Sequence, residues 1–196
     1  MVKKKSTFAT MVISLVMITL VSGFVLGYVN DITQEPKAKA RLEKKINAIK
    51  QVLPEFDNNP IEDVIKIPSS KFNDSIEIYP AYKNNEFIGA ALSGYSNKGY
   101  NGLIKIMAGF KPDGSIQNIE VIEQKETPGL GTKLKNNSFL KQFRGQNPSV
   151  FNLDVSKDGG DVDAIAGATI STRAFNESLK MAYDEFMAYL TKYTPN

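Results

Sequence analysis

Residues 76–93, Ile76-Glu77-Ile78-Tyr79-Pro80-Ala81-Tyr82-Lys83-Asn84-Asn85-Glu86-Phe87-Ile88-Gly89-Ala90-Ala91-Leu92-Ser93, are two apolar-rich runs on either side of an asparagine pair. Asparagine tolerates the positive φ that a tight hairpin demands, so 76–82 and 86–93 are predicted to be antiparallel neighbours. The pattern repeats downstream, where 103–110 and 116–123 flank Pro112-Asp113-Gly114. Four strands joined by hairpins predict an antiparallel sheet. A helical turn near 138–143 and a Gly- and Asp-rich loop follow, and then the apolar positions Phe175, Leu179, Ala182, Phe186 and Tyr189 recur at the spacing of a helix with one buried stripe. Strands followed by a helix, without alternation, place the domain in the α+β class, with a mainly antiparallel sheet and a C-terminal helix.

Upstream, no charged residue occurs between Ser6 and Asn30, and 8–29 is dominated by Val, Ile, Leu, Met and Phe. At ~1.5 Å per residue this run crosses a bilayer core of about 30 Å, and it exceeds the ~7–15 residues of a signal-peptide core. It reads as an uncleaved N-terminal transmembrane helix. Leu42, Ile46, Ile49 and Leu53 then form one side of a juxtamembrane helix that starts at Pro36 and stops before Pro54. Turns are expected at Asp57-Asn58-Asn59-Pro60 and at Pro68-Ser69-Ser70. The expected organisation is therefore a membrane anchor (1–30), a juxtamembrane helix and linker (31–70) and one folded domain (71–196).

Composition removes several chemistries. The chain has no Cys and no His, so by itself it supplies no thiolate-bound iron–sulfur cluster, c-type haem attachment, His-ligated zinc or Ser-His-Asp triad. Electron transfer would need an organic cofactor. Lys3, Lys4 and Lys5 account for the formal charge of +3, and the balanced remainder gives no sign of a nucleic-acid partner. Asp154, Asp158, Asp161 and Asp163 surround Gly159-Gly160 but miss the EF-hand spacing, and no metal site is assigned.

The candidate site centres on Asp163-Ala164-Ile165-Ala166-Gly167-Ala168-Thr169-Ile170-Ser171-Thr172, a small-residue turn opening the C-terminal helix. A helix start carries free N–H groups and a partial positive charge, which suits a phosphate. Thr169 or Ser171 equally suits an ordinary N-cap. Gly167 and Ala168 leave room for a bulky group. In Glu126-Thr127-Pro128-Gly129-Leu130-Gly131-Thr132-Lys133, the Thr-Pro-Gly unit predicts a type II turn. Tyr95 and Tyr100 carry rings able to stack on a flat ring system, but aromatics beside strands more often join a core, and they stay outside the candidate set.

The first of these stretches resembles the flavinylation motif of covalent FMN-binding domains, Asp-x-x-Ser/Thr-Gly-Ala-Thr, with Ala166 where the pattern has Ser or Thr. The second is similar to the Glu-Thr-Pro-Gly-Leu-Gly loop of the G subunit of Rnf electron-transport complexes and of the C subunit of the sodium-pumping NADH:quinone reductase. The resemblance implies FMN esterified to Thr169, with Gly167, Ala168, Ile170, Ser171 and Thr172 around the phosphate and Glu126, Thr127, Gly129, Leu130 and Thr132 around the flavin. It implies that Asp163 is needed by the flavin transferase that cleaves FAD. It further implies a membrane-anchored, electron-relaying component of an Rnf-type ion-translocating ferredoxin:NAD oxidoreductase, with other membrane and iron–sulfur subunits as partners and the domain outside the cytoplasmic membrane. The corresponding component of the sodium-pumping NADH:quinone reductase, a stand-alone flavin carrier and a non-redox binding module are the alternatives.

Overall fold

The computed structural model describes residues 7–68 and 75–193. The lysines at 3–5 and the turn expected at Pro68-Ser69-Ser70 lie outside or at the margin of these residues. The chain divides into two compact units, Met1–Glu43 and Lys44–Asn196.

Helix α1 (Phe8–Val52) begins in the first unit. Its apolar N-terminal part is long enough to cross a membrane and is exposed throughout. The few hydroxyls there turn back onto the helix: Ser14 Oγ donates to Thr10 O at 2.8 Å and Thr19 Oγ1 to Leu15 O at 3.0 Å. Neither side chain then needs water. The juxtamembrane helix expected to start at Pro36 is instead the continuation of α1. Proline removes one backbone donor, and the Ala-, Lys-, Leu- and Glu-rich residues after it favour helix strongly enough to carry the element through.

The second unit is built on a five-stranded antiparallel meander in the order β1-β2-β3-β4-β5. The strands are β1 (Ile65–Pro68), β2 (Ser75–Lys83), β3 (Glu86–Gly99), β4 (Gly102–Phe110) and β5 (Ile116–Gln124). Asn84 and Asn85 have φ of 52° and 64°, the conformation the β2–β3 hairpin requires. Edge strand β1 was not anticipated: it is four residues long, pairing Ile65 with Ile78 and Ile67 with Ile76. Strand β3 runs beyond Ser93 because Gly94, Tyr95 and Ser96 keep pairing with Ile106, Lys105 and Ile104. Two helices follow, α2 (Asn137–Leu140) and α3 (Thr169–Tyr193).

Both faces of the sheet are covered. Helix α3 packs Phe175, Leu179, Ala182, Phe186 and Tyr189 onto Ala90, Leu92, Ile104, Ile106, Ala108 and Phe110. The end of α1 packs Ala48, Ile49 and Val52 onto Tyr79, Ala91 and Met107 on the opposite face. Double burial explains why 103–110 reads as a nearly continuous apolar run. Each helix meets the sheet at a glycine: a Cβ on Gly94 would lie 1.9 Å from Ser178 O, and one on Gly109 would lie 2.0 Å from Val52 O.

At the foot of α1, Lys45 Nζ and the Tyr79 hydroxyl both donate to Glu77 Oε2 at 2.6 Å. Burial opposes both charges, but the hydrogen bonds that join Lys45, Glu77 and Tyr79 outweigh it, so Lys45 is raised and Glu77 lowered from their ordinary values. Burial and its bond to Glu77 push Tyr79 up to about 12.

Candidate functional site

The turn before α3 sets the geometry of its first residues. Gly167 has φ 76° and Ala168 N donates to Ile165 O at 2.9 Å, closing a turn that only a residue free to adopt positive φ enters without strain. The Ala168 carbonyl then takes the first helical bond, from Thr172 N at 2.9 Å. Thr172 Oγ1 donates to the same carbonyl at 3.0 Å and accepts from Ile165 N at 3.2 Å. Ala168 thus occupies the cap position, and neither Thr169 nor Ser171 caps the helix. The N–H groups of Thr169, Ile170 and Ser171 have no hydrogen-bond partner among the described residues. The Thr172 N–H, by contrast, is taken by the Ala168 carbonyl.

The three hydroxyls of this turn differ in availability. Thr172 is bonded as described, and Ser171 Oγ, 1% exposed, donates to Glu126 Oε2 at 2.6 Å. Thr169 is partly exposed and its hydroxyl has no partner among the described residues.

Glu126 joins the second motif to the first. It is 5% exposed, and its Oε1 accepts from Asn101 N at 3.1 Å while Oε2 accepts from Ser171. A Cβ on Gly99 would lie 2.6 Å from Glu126 Oε1, and one on Gly131 would lie 2.5 Å from Glu126 Cβ, so glycine at both places makes room for the carboxylate. The following turn is the expected one: Leu130 N donates to Thr127 O at 3.2 Å and Gly129 has φ 78°. The hydroxyl of Thr132 accepts from Gly129 N at 2.9 Å and holds the loop to itself. Leu130 reaches back over the other turn, since a Cβ on Gly167 would lie 3.2 Å from Leu130 Cδ2. Glu126→Ala is expected to destabilise the domain by about 2 kcal/mol, because Ser171 Oγ and Asn101 N lose their acceptor in a buried place. Urea unfolding measures it.

Between the two motifs lies a groove of about 530 Å³, lined by Glu126, Thr127, Leu130, Gly131 and by Gly167 through Ser171. Tyr100, 68% exposed, also lines it and joins the candidate set. Its place beside the β3–β4 turn was the available signal. Tyr95 packs partly against the core. Gly129, Thr132 and Thr172 support the walls without lining the groove, and Asp163 lies in a different groove.

No lysine or arginine lines this groove, so the partial positive charge it offers an anion is that of the helix start. Arg173 is held away by Asp158, with bonds of 2.7 and 2.9 Å that lower the aspartate below its usual range. A neighbouring groove of about 420 Å³, which includes Lys98 and Glu177, has its own ion pair at 2.6 Å. The 530 Å³ groove offers three free N–H donors, one unbonded hydroxyl and apolar faces from Tyr100, Leu130 and Ile170. That set fits a phosphate attached to a flat, partly apolar ring system.

Comparison with known proteins bears on the same segment. Residues 99–184 match the family model described as an FMN-binding domain. The chain is 30% identical over 193 residues to the G subunit of the ion-translocating oxidoreductase complex of Stutzerimonas stutzeri, covering 95% of this chain and 82% of that one. It is 32% identical over 169 residues to the protein of the same name in Shewanella piezotolerans, covering 80% of each. Among solved structures it is similar to the C subunit of the Na(+)-translocating NADH-quinone reductase of Parabacteroides distasonis, with 16% identity, a TM-score of 0.49, and coverage of 80% of this chain and 84% of that one.

Proposed function

This chain belongs to the family of G subunits of ion-translocating oxidoreductase complexes, and from that premise we propose that it is the complex's membrane-anchored flavoprotein, carrying FMN as a phosphoester on Thr169. The observation that supports this most is the state of the three hydroxyls: Ser171 and Thr172 are engaged, while Thr169 is unbonded at a helix start with three free donors.

In the proposed attachment the Thr169 Oγ–P bond forms with the FMN phosphorus of FAD, the pyrophosphate P–O bond breaks, AMP leaves and the hydroxyl proton is lost. The N–H groups of Thr169, Ile170 and Ser171 stabilise the remaining negative charge. The groove walls, Tyr100 and Leu130 among them, cover apolar ring surface. Bound FMN supplies the redox chemistry that a chain without Cys or His lacks. A tether also prevents loss of the flavin where it is not resupplied.

Purified from cells that also make a flavin transferase, the protein is expected to be yellow, to bleach on dithionite reduction and to keep its chromophore through denaturation. A colourless protein, beside a control substrate that is modified, would overturn the reading.

The chain is a single-pass membrane protein in this reading, the one candidate span among the described residues lying near the N-terminus. We place the domain on the extracytoplasmic side. Because the chain has no cysteine, Ser149→Cys at an exposed loop position provides a unique label. A membrane-impermeant maleimide is expected to label it in intact cells stripped of outer barriers; labelling only after lysis would reverse the orientation.

A further inference from the structure

Among the described residues lining the 530 Å³ groove, Glu126 is the one acid, and there is no lysine or arginine. The side chain is 5% exposed. Both of its oxygens accept hydrogen bonds and neither donates: Oε1 takes Asn101 N at 3.1 Å and Oε2 takes Ser171 Oγ at 2.6 Å. That is the bonding of an ionised carboxylate, an acceptor-only group. Its partners are a backbone N–H and a neutral hydroxyl, and no cation pairs with it among the described residues. A buried charge without a counter-charge is costly, yet the fold makes room for this one twice. A Cβ on Gly99 would lie 2.6 Å from Oε1, and one on Gly131 would lie 2.8 Å from Oε2. A neutral glutamine would fill the same space with less desolvation cost. What the carboxylate adds is its negative charge.

We propose that Glu126 sets the reduction potential of the flavin in this groove, holding it low by keeping a desolvated negative charge in the groove wall. The proposal rests on the reading of the groove as the flavin site. Reduction of the ring by two electrons with uptake of one proton leaves one added negative charge; a second proton cancels it. The electrons come from the donor of the oxidoreductase complex, or from dithionite in the test. A fixed carboxylate in a poorly solvated wall opposes the charged product, and it does so more strongly than a carboxylate in water would. The free donors at the start of α3 serve the phosphate in this reading, so no cationic side chain lining the groove offsets Glu126.

The test is a spectroelectrochemical titration of the full-length flavin-loaded protein in detergent, with dithionite and mediator dyes, at alkaline pH where the reduced ring holds one added proton. Glu126→Gln keeps the size of the side chain and an acceptor for Asn101 N. It is expected to favour reduction about tenfold, a rise of about 30 mV for a two-electron couple. Glu126→Asp keeps the charge and is expected to stay within about twofold of wild type. Ser171→Ala breaks the same Glu126–Ser171 bond but keeps the carboxylate and removes its hydroxyl donor, so it should make reduction about twofold less favourable. Circular dichroism checks that the fold is kept. An unchanged or lowered potential in Glu126→Gln would overturn the proposal. So would a raised potential in Ser171→Ala, which decides the matter alone if Glu126→Gln does not fold. Wild type that takes up no flavin, covalent or not, would overturn the functional reading itself, and this proposal with it.

Discussion

Thr169→Val is expected to abolish covalent flavin while leaving the fold intact. Valine is nearly isosteric with threonine, and the lost hydroxyl has no partner among the described residues, so no internal hydrogen bond is broken. The backbone donors of Thr169, Ile170 and Ser171 remain where they are. The variant thus separates the ester from non-covalent binding: flavin should be absent after denaturation even where some is retained natively. Ser171→Ala is the informative contrast. It keeps the acceptor but removes the donor to Glu126 Oε2, which leaves a carboxylate that is 5% exposed with one fewer partner. We expect full modification and a stability loss of about 1–2 kcal/mol. Flavin fluorescence in a denaturing gel reads the first property and urea unfolding the second. Modified Thr169→Val protein would move the ester to another side chain.

The second large effect lies far from the groove. Gly94→Ala is expected to destabilise the domain by about 3 kcal/mol, because its Cβ would sit 1.9 Å from Ser178 O and 3.2 Å from Ala182 Cβ. The obstacle is helix backbone, which cannot rotate away as a side chain does, so α3 must lift off β3. For a domain of this size that corresponds to a drop in Tm of about 10 °C. The same helix begins at Thr169, and lifting it disturbs the contact between Ser171 and Glu126. Flavin attachment should therefore become less efficient in Gly94→Ala although no groove residue has changed. Gly145→Asn is the control: its φ of 76° suits asparagine and nothing lies within 4 Å of the added Cβ, so the loss should stay below about 1 kcal/mol. Comparable Tm values for the two variants would contradict the close-packing argument.

Much of this architecture is legible in the sequence because it is local. Asn84-Asn85 and Pro112-Asp113-Gly114 announce their hairpins through φ preferences, and the stripe from Phe175 to Tyr189 announces its helix through period. Elements that depend on partners are harder to read. Strand β1 is too short to show a pattern and exists because β2 offers it an edge. The far end of β3, with Gly94, Tyr95 and Ser96, looks like loop until β4 is laid beside it. Pro36 suggests a break that the surrounding helix-forming residues override.

The same division holds at the candidate site. The Thr127-Pro128-Gly129 turn and the helix start near Thr169 follow from local chemistry. The bond between Glu126 and Ser171 spans 45 positions of sequence, and nothing local announces it. Nor does sequence tell that Ala168 takes the cap position, which leaves Thr169 unengaged, or that Asp163 and Thr169 face different grooves.

The proposed attachment depends on one atom, Thr169 Oγ1. Intact mass of the protein co-produced with a flavin transferase, followed by peptide mapping, addresses it directly. The expected result is one added FMN moiety, less water, on the peptide that contains Thr169, with Ser171 and Thr172 unmodified. An unmodified chain beside a modified control substrate, or FMN mapped to any other residue, would contradict it.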